Sequence, residues 1–280
     1  MSTILLIVDP QNDFCDLPAE WCPSFGGQVQ APALPVPGAH QDMLRLAAFI
    51  DAALAQLDAI TVTLDSHHRR DIAHPSFWKG VSPFTTITAA QVRAGEFQPQ
   101  RGEDLARALA YLDELEARGR YRLMVWPVHC EIGSWGHSVH PAVRAAYNRW
   151  EDMHGASVRK LTKGDNPWTE HYSAVMAEVP DPDDPGTQLN LGLIAELDRH
   201  SMIIVAGEAG SHCVRATVEH VAAHLPSGEV GKLVLLPDCM SPVAGFEAQQ
   251  QEFLANMAAL GVRQMDSIGL AGHLNRAGIR

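Results

Sequence analysis

The chain has 280 residues, 46% of them hydrophobic and 19% charged, enough for a sizeable core and ordinary for a folded water-facing protein. A formal charge of −12 with 21 basic residues argues against general affinity for nucleic acid or anionic lipid. No apolar run approaches the ~20 residues of a membrane span, the start "MSTILLIVDPQNDF" lacks the features of a secretory leader, and Cys15, Cys22, Cys130, Cys213 and Cys239 are scattered and odd in number. Reduced thiols in a cytoplasm are the expectation.

In chain order, apolar runs alternate with helix-like segments. The runs are 3–9, 59–65, 121–127, 157–163, 201–207 and 232–238, and the helical patterns lie near 39–57, 102–118, 138–153, 188–199, 211–224 and 244–259. This alternation predicts an α/β fold with a mostly parallel six-stranded sheet and helices on both faces, a Rossmann-like three-layer arrangement. Pro/Gly-rich stretches at 16–38 and 179–188 read as loops, and neither separates two cores, so one domain is expected over 1–280.

Ligands of a parallel sheet bind beyond the carboxyl ends of its strands. The polar residues there are Asp9, Asp65, His129, Lys163 and the turn before Cys213. A nucleotide site is a weak rival, because neither GxGxxG after the first strand nor GxxxxGK[ST] occurs. Cys213 opens a helix, where free amides and the helix dipole favour a thiolate and can hold a negative oxygen. A buried core cysteine fits the segment equally well. Asp9 ends the first run as a candidate base, with Asp13 a second carboxylate nearby, and Lys163 could pair with Asp9. Each has a bland alternative, a turn-capping Asp and a solvated Lys. Asp65 and His67, two apart where a strand ends, point to one side if the extended backbone persists. With His129 they make a carboxylate-plus-imidazole set suited to Zn²⁺, Mn²⁺ or Fe²⁺, and His74 is a candidate fourth ligand. His68, His137 and His140 read as surface or structural.

These pieces together resemble the cysteine hydrolases of the isochorismatase-like superfamily, closest to the nicotinamidase/pyrazinamidase group. The matching stretches are "IVDPQNDFC", "LPVPG", "DSHHRRDIAHPSF", "WPVHCEIGSWG", "TKGDNPWTEHYSAV" and "VAGEAGSHCVRATV", in the family's order over residues 4–220. The resemblance implies Asp9, Lys163 and Cys213 as catalytic triad, and Asp65, His67 and His129, with His74, as metal ligands. It further implies an oxyanion hole from the Ala209 and Cys213 amides after a cis Glu208–Ala209 peptide, and Phe14 and Trp126 as walls for a substrate ring.

The implied activity is metal-dependent hydrolysis of nicotinamide, or a close aromatic carboxamide, to the acid and ammonia through a thioester. The implied cofactor is a divalent ion, zinc first, with iron or manganese as alternatives. A related hydrolase of another amide (an N-heterocyclic carboxamide, an N-carbamoyl or a ureido compound) is the alternative, followed by a non-catalytic metal- or ligand-binding protein. The expected partners are a small-molecule amide and further copies of the chain, with no nucleic acid and no membrane. The sequence departs from the family's pattern at Glu208 and Gly210 in the nucleophile turn and at Ser66 in D-S-H. Extra length falls near 16–33, 80–120 and 178–190. The middle insertion carries an amphipathic helix with Leu105, Leu109, Leu112 and Leu115 on one side, expected to cover the pocket, extend the core or meet another copy.

Overall fold

The structure is a computed structural model describing residues 2–278. Its strands are β1 (Thr3–Val8), β2 (Ser24–Phe25), β3 (Gln28–Val29), β4 (Ala59–Asp65), β5 (Thr85–Ile87), β6 (Leu123–Val125), β7 (Arg159–Lys163), β8 (Met202–Gly207), β9 (Leu233–Leu235) and β10 (Arg263–Gln264). Its helices are α1 (Ala39–Ala52), α2 (Ala89–Arg93), α3 (Leu105–Arg118), α4 (Pro141–His154), α5 (Leu191–Asp198), α6 (Cys213–His224), α7 (Glu247–Ala259) and α8 (Ser267–Gly278). No helix among the described residues is long and apolar enough to cross a membrane.

Six strands form the central parallel sheet in the order β10-β9-β8-β1-β4-β7. β1 and β8 read TILLIV and MIIVAG, and every residue of both is buried, as befits strands covered on two faces. Their register runs from Thr3 opposite Met202 to Val8 opposite Gly207. Gly207 has φ +120°, and a Cβ there would lie 2.0 Å from the Val8 carbonyl oxygen, so only glycine lets these two strands stay paired where the site begins.

One expected strand belongs elsewhere. The run 121–127 supplies β6, which pairs antiparallel with β5 in a separate ribbon, and the sixth strand of the sheet is the polar pair Arg263–Gln264. Leu123 and Val125 of β6 are buried, so its composition mimics a sheet strand although it pairs with β5. His129 therefore reaches the site on a loop after the ribbon, not from the end of a sheet strand. Backbone bonds fix that loop: His67 N donates to Cys130 O at 3.1 Å and Ile132 N to His67 O at 3.0 Å.

The inserted helix α3 buries Ala108, Tyr111, Leu112 and Leu115, whereas Leu105, at its first turn, is 38% exposed and outside the stripe expected of it. Its neighbours are the other inserted stretch and the segment after β7. Arg107 lies 4.2 Å over the Trp168 ring and pairs with Asp181 at 2.7 Å, while Arg70 pairs with Asp104. α2 and α8 were not foreseen. α2 has five residues and opens on a capping box between Thr88 and Gln91. All five cysteines are free thiols.

Candidate active site

Asp9, Asp65 and Lys163 end or follow β1, β4 and β7, three neighbouring strands, and Cys213 starts α6 after β8. Parallel pairing sets these ends side by side, about 5 Å per strand. Asp9 leaves β1 with φ +45°, in the left-handed region that Asp tolerates better than most residues. Its carboxylate accepts from Thr63 Oγ1 at 2.5 Å. Lys163 Nζ sits between the groups, 3.0 Å from Asp9 Oδ2, 2.8 Å from Asp65 Oδ1 and 3.7 Å from Cys213 Sγ, and also donates to His171 O at 2.9 Å.

Burial sets the proton balance of this group. It raises the Asp9 carboxyl above its ordinary range, with the Lys163 ammonium opposing. It would lower Lys163, but Asp65 and Asp9 hold the ammonium well above its usual value. It raises the Cys213 thiol strongly, again against Lys163. Burial thus favours the neutral thiol, and the Lys163 ammonium beside it favours the thiolate.

The Glu208–Ala209 peptide is cis. Among the described residues neither the Ala209 nor the Cys213 amide has an acceptor, and both residues line a pocket enclosing about 350 Å³ of empty space, mouth included. Phe14 and Trp126 form part of its walls, as do Asp65 and His129. The Phe14 ring lies 5.4 Å from that of His129. The pocket is narrow, with apolar walls and a few convergent polar groups.

His67, His74 and His129 bring ligand atoms within 4.8 Å of one another and could hold a metal ion. Asp65 Oδ2 lies 3.0 Å from His67 Nε2 and 3.4 Å from His129 Nε2. His67 Nδ1 is bonded to Asp71 at 3.2 Å and His129 Nδ1 to the Pro127 carbonyl at 2.7 Å, which turns both Nε2 atoms toward Asp65. His74 Nδ1 is buried with no partner, and burial, then His129, lowers that imidazole to about 3, so it stays neutral with a lone pair to give. The donor set fits a divalent cation of the nitrogen-and-oxygen class. Gly164, at φ +88°, leaves it room: a Cβ there would meet Asp65 Oδ1 at 3.0 Å and His67 Cε1 at 3.1 Å.

Other expected residues lie nearby in different roles. Asp13 accepts from the Cys130 amide at 2.7 Å and the Ala33 amide at 3.0 Å, tying three loops together. His137 bonds Ser66 Oγ at 2.8 Å, His140 caps α4 by accepting from Ala142 N, and His68 is exposed. Glu208 turns away from the pocket. It is fully buried, accepts from Ser241 N at 3.1 Å, and its carboxyl is raised by burial and then by Asp42. Sequence reading missed Glu170, which lines the pocket with one oxygen lacking a partner and whose carboxyl burial raises to about 8. Its amide donates to the Tyr111 hydroxyl of α3 at 3.2 Å, so the inserted helix braces the pocket wall from behind. Tyr172, His212, Leu34 and Val243 were also missed as lining residues. Leu34, Glu170, Tyr172 and His212 stand inside the stretches already quoted, which is the only signal that could have found them.

No family model matches the chain, and no curated protein matches it by sequence. Among solved structures it is similar to the Acinetobacter baumanii nicotinamidase/pyrazinamidase, at 20% identity and TM-score 0.62 over 96% of this chain and 98% of that one. The yeast nicotinamidase bound to the inhibitor nicotinaldehyde gives 20% identity and TM-score 0.62, covering 94% and 99%. The pyrazinamidase of Pyrococcus horikoshii in complex with zinc gives 18% and 0.54, covering 95% and 99%. At such identity the likeness speaks for architecture: this chain shares the α/β fold of these nicotinamidase and pyrazinamidase structures over nearly its whole length.

Proposed function

We propose that this protein is a cysteine amidase that hydrolyses a small aromatic carboxamide, nicotinamide foremost, to the acid and ammonia. The observation that carries the reading is Lys163 Nζ, within 3.0 Å of Asp9, 2.8 Å of Asp65 and 3.7 Å of Cys213, beside a narrow pocket walled in part by Phe14 and Trp126. Structures of the same fold are nicotinamidases and pyrazinamidases, which points to the same class of amide.

Asp9 takes the proton from Cys213, and Lys163 stabilises the thiolate as it forms. The sulfur attacks the carboxamide carbon, and the Ala209 and Cys213 amides receive the oxyanion. Asp9 returns the proton to the leaving nitrogen, ammonia departs and a thioester remains. Asp9 then draws a proton from water, whose oxygen attacks the thioester and releases the carboxylic acid and the thiol. Phe14 and Trp126 hold the ring between them. Asp65, His67 and His129, with His74, would hold a divalent cation, zinc first among the candidates, that supplies a Lewis-acidic anchor for a ring nitrogen.

Ammonia release from nicotinamide by the wild type, the Cys213→Ala variant and a chelator-treated sample tests this. The variant should lose roughly four to six orders of magnitude in kcat while keeping its fold and its bound metal. Turnover surviving in Cys213→Ala would transfer the chemistry to a metal-bound nucleophile. A metal-loaded, folded wild type inert toward nicotinamide would refute that substrate.

A further inference from the structure

Behind the catalytic pocket lies a larger cavity of about 950 Å³, mouth included. Trp126, Tyr172 and His212 line both spaces. The indole donates to the Tyr172 hydroxyl at 3.0 Å, and the His212 ring stands edge-on to the indole at 5.3 Å, so these three side chains form a partition.

Beyond the partition the electrostatics change. The cavity lining holds Arg120, Arg122 and Arg215 and no acidic side chain, in a chain of net charge −12. Arg120 and Arg215 share one carboxylate, Glu219, at 2.5 and 2.9 Å. Arg215 also lies 3.4 Å from the exposed Glu252, and Arg120 lies 3.9 Å from Glu178. Arg122 is exposed at the rim and makes no ion pair among the described residues. One guanidinium is therefore left to face a single negative charge.

The remaining walls are aromatic. Tyr121 lies 4.8 Å from Tyr172, and its buried hydroxyl has no partner. Phe246, which precedes α7, lies 4.6 Å from His212 and 6.4 Å from Trp126. Ring faces below and a planar two-pronged donor at the rim suit a flat anion, with its ring stacked and its charge held by the arginine fork. We propose that this cavity is a second ligand site that binds a small aromatic carboxylate, distinct from the catalytic pocket. A neutral carboxamide of the same shape lacks the charge the rim asks for, so the site separates acid from amide across the partition. The site stands on its own geometry and does not depend on Cys213 being a nucleophile.

Calorimetric titration of the full chain with benzoate, benzamide and inorganic phosphate tests the site, in a Cys213→Ala background so that no amide is consumed. Benzoate should bind at least tenfold more tightly than benzamide or phosphate. Arg122→Ala should weaken benzoate about tenfold, or ~1.4 kcal/mol, and Phe246→Ala should weaken benzoate while leaving phosphate unchanged. Equal affinity for benzoate and benzamide, or benzoate binding indifferent to Arg122→Ala, overturns the proposal. Phosphate binding as tightly as benzoate overturns its aromatic half. An inert wild type in the ammonia assay would leave each of these results as it is.

Discussion

Replacing Lys163 by methionine isolates the charge network on which the site is built. The side chain is 3% exposed, and its ammonium faces Asp9 (0% exposed) at 3.0 Å and Asp65 (4%) at 2.8 Å. At an effective dielectric of 20, each such contact is worth about 6 kcal/mol of Coulomb attraction. Desolvating the ammonium cancels much of this, so the net cost of removing the cation is set by what is stranded. Asp65 keeps His67 at 3.0 Å, but Asp9 keeps only the Thr63 hydroxyl. Breaking a buried pair by deleting one partner costs about 3–5 kcal/mol, and that is the loss expected in urea unfolding at pH 8. Asp9, already raised by burial, loses its opposing cation and moves higher still. A carboxyl raised in the folded state destabilises it progressively as pH rises above the unfolded value of about 3.9. The Lys163→Met penalty should therefore shrink at pH 5, and Asp9→Asn added to Lys163→Met should recover at least half of it. A loss below about 1 kcal/mol that does not change with pH would refute the picture of two ionised carboxylates held by one buried cation.

Packing and titration away from Cys213 give two more expected outcomes. Burial, then His40, lowers the His140 imidazole to about 4, while its Nδ1 caps α4. A depressed histidine stabilises above its unfolded pKa of about 6.5 and loses that contribution as pH falls toward 4, at most about 3 kcal/mol. His140→Asn keeps a good cap and should flatten the acid side of the Tm-versus-pH curve, and an unchanged slope would remove His140 as a cause of acid lability. Leu112 on α3 is fully buried, so Leu112→Ala should cost about 2–5 kcal/mol in denaturant midpoint stability. A loss under about 1 kcal/mol would mean that the inserted helix opens without disturbing the core.

The parts of this architecture legible in sequence are those tied to a strong periodicity. Fully apolar runs marked β1 and β8, and the polar residue ending each sheet strand marked where Asp9, Asp65 and Lys163 meet. Short elements escaped because their character comes from their neighbours. Arg263–Gln264 is a strand only because β9 offers it a backbone edge, and nothing in two polar residues announces that. Conversely, 121–127 looked like a sheet strand because the burial of Leu123 and Val125 produces the same composition. Glu170 is a carboxylate in a loop without period, and its place in the pocket depends on Tyr111 almost sixty residues earlier. Glu208 departs from the family's pattern, and its position in the turn gives no sign of what it touches. It packs against Asp42 and Ser241, a contact made by tertiary folding alone.

The ends of the central sheet bear on how copies of this chain meet. One border strand, β10, is two residues long and carries an arginine; the other, β7, reads RKLTK and places Arg159 and Lys160 along its outer run. A second sheet docking edge to edge would find two residues to pair with at β10, and at β7 two basic side chains already engaged by Glu196 and Glu151. Borders this short or this charged offer little template for strand-to-strand growth.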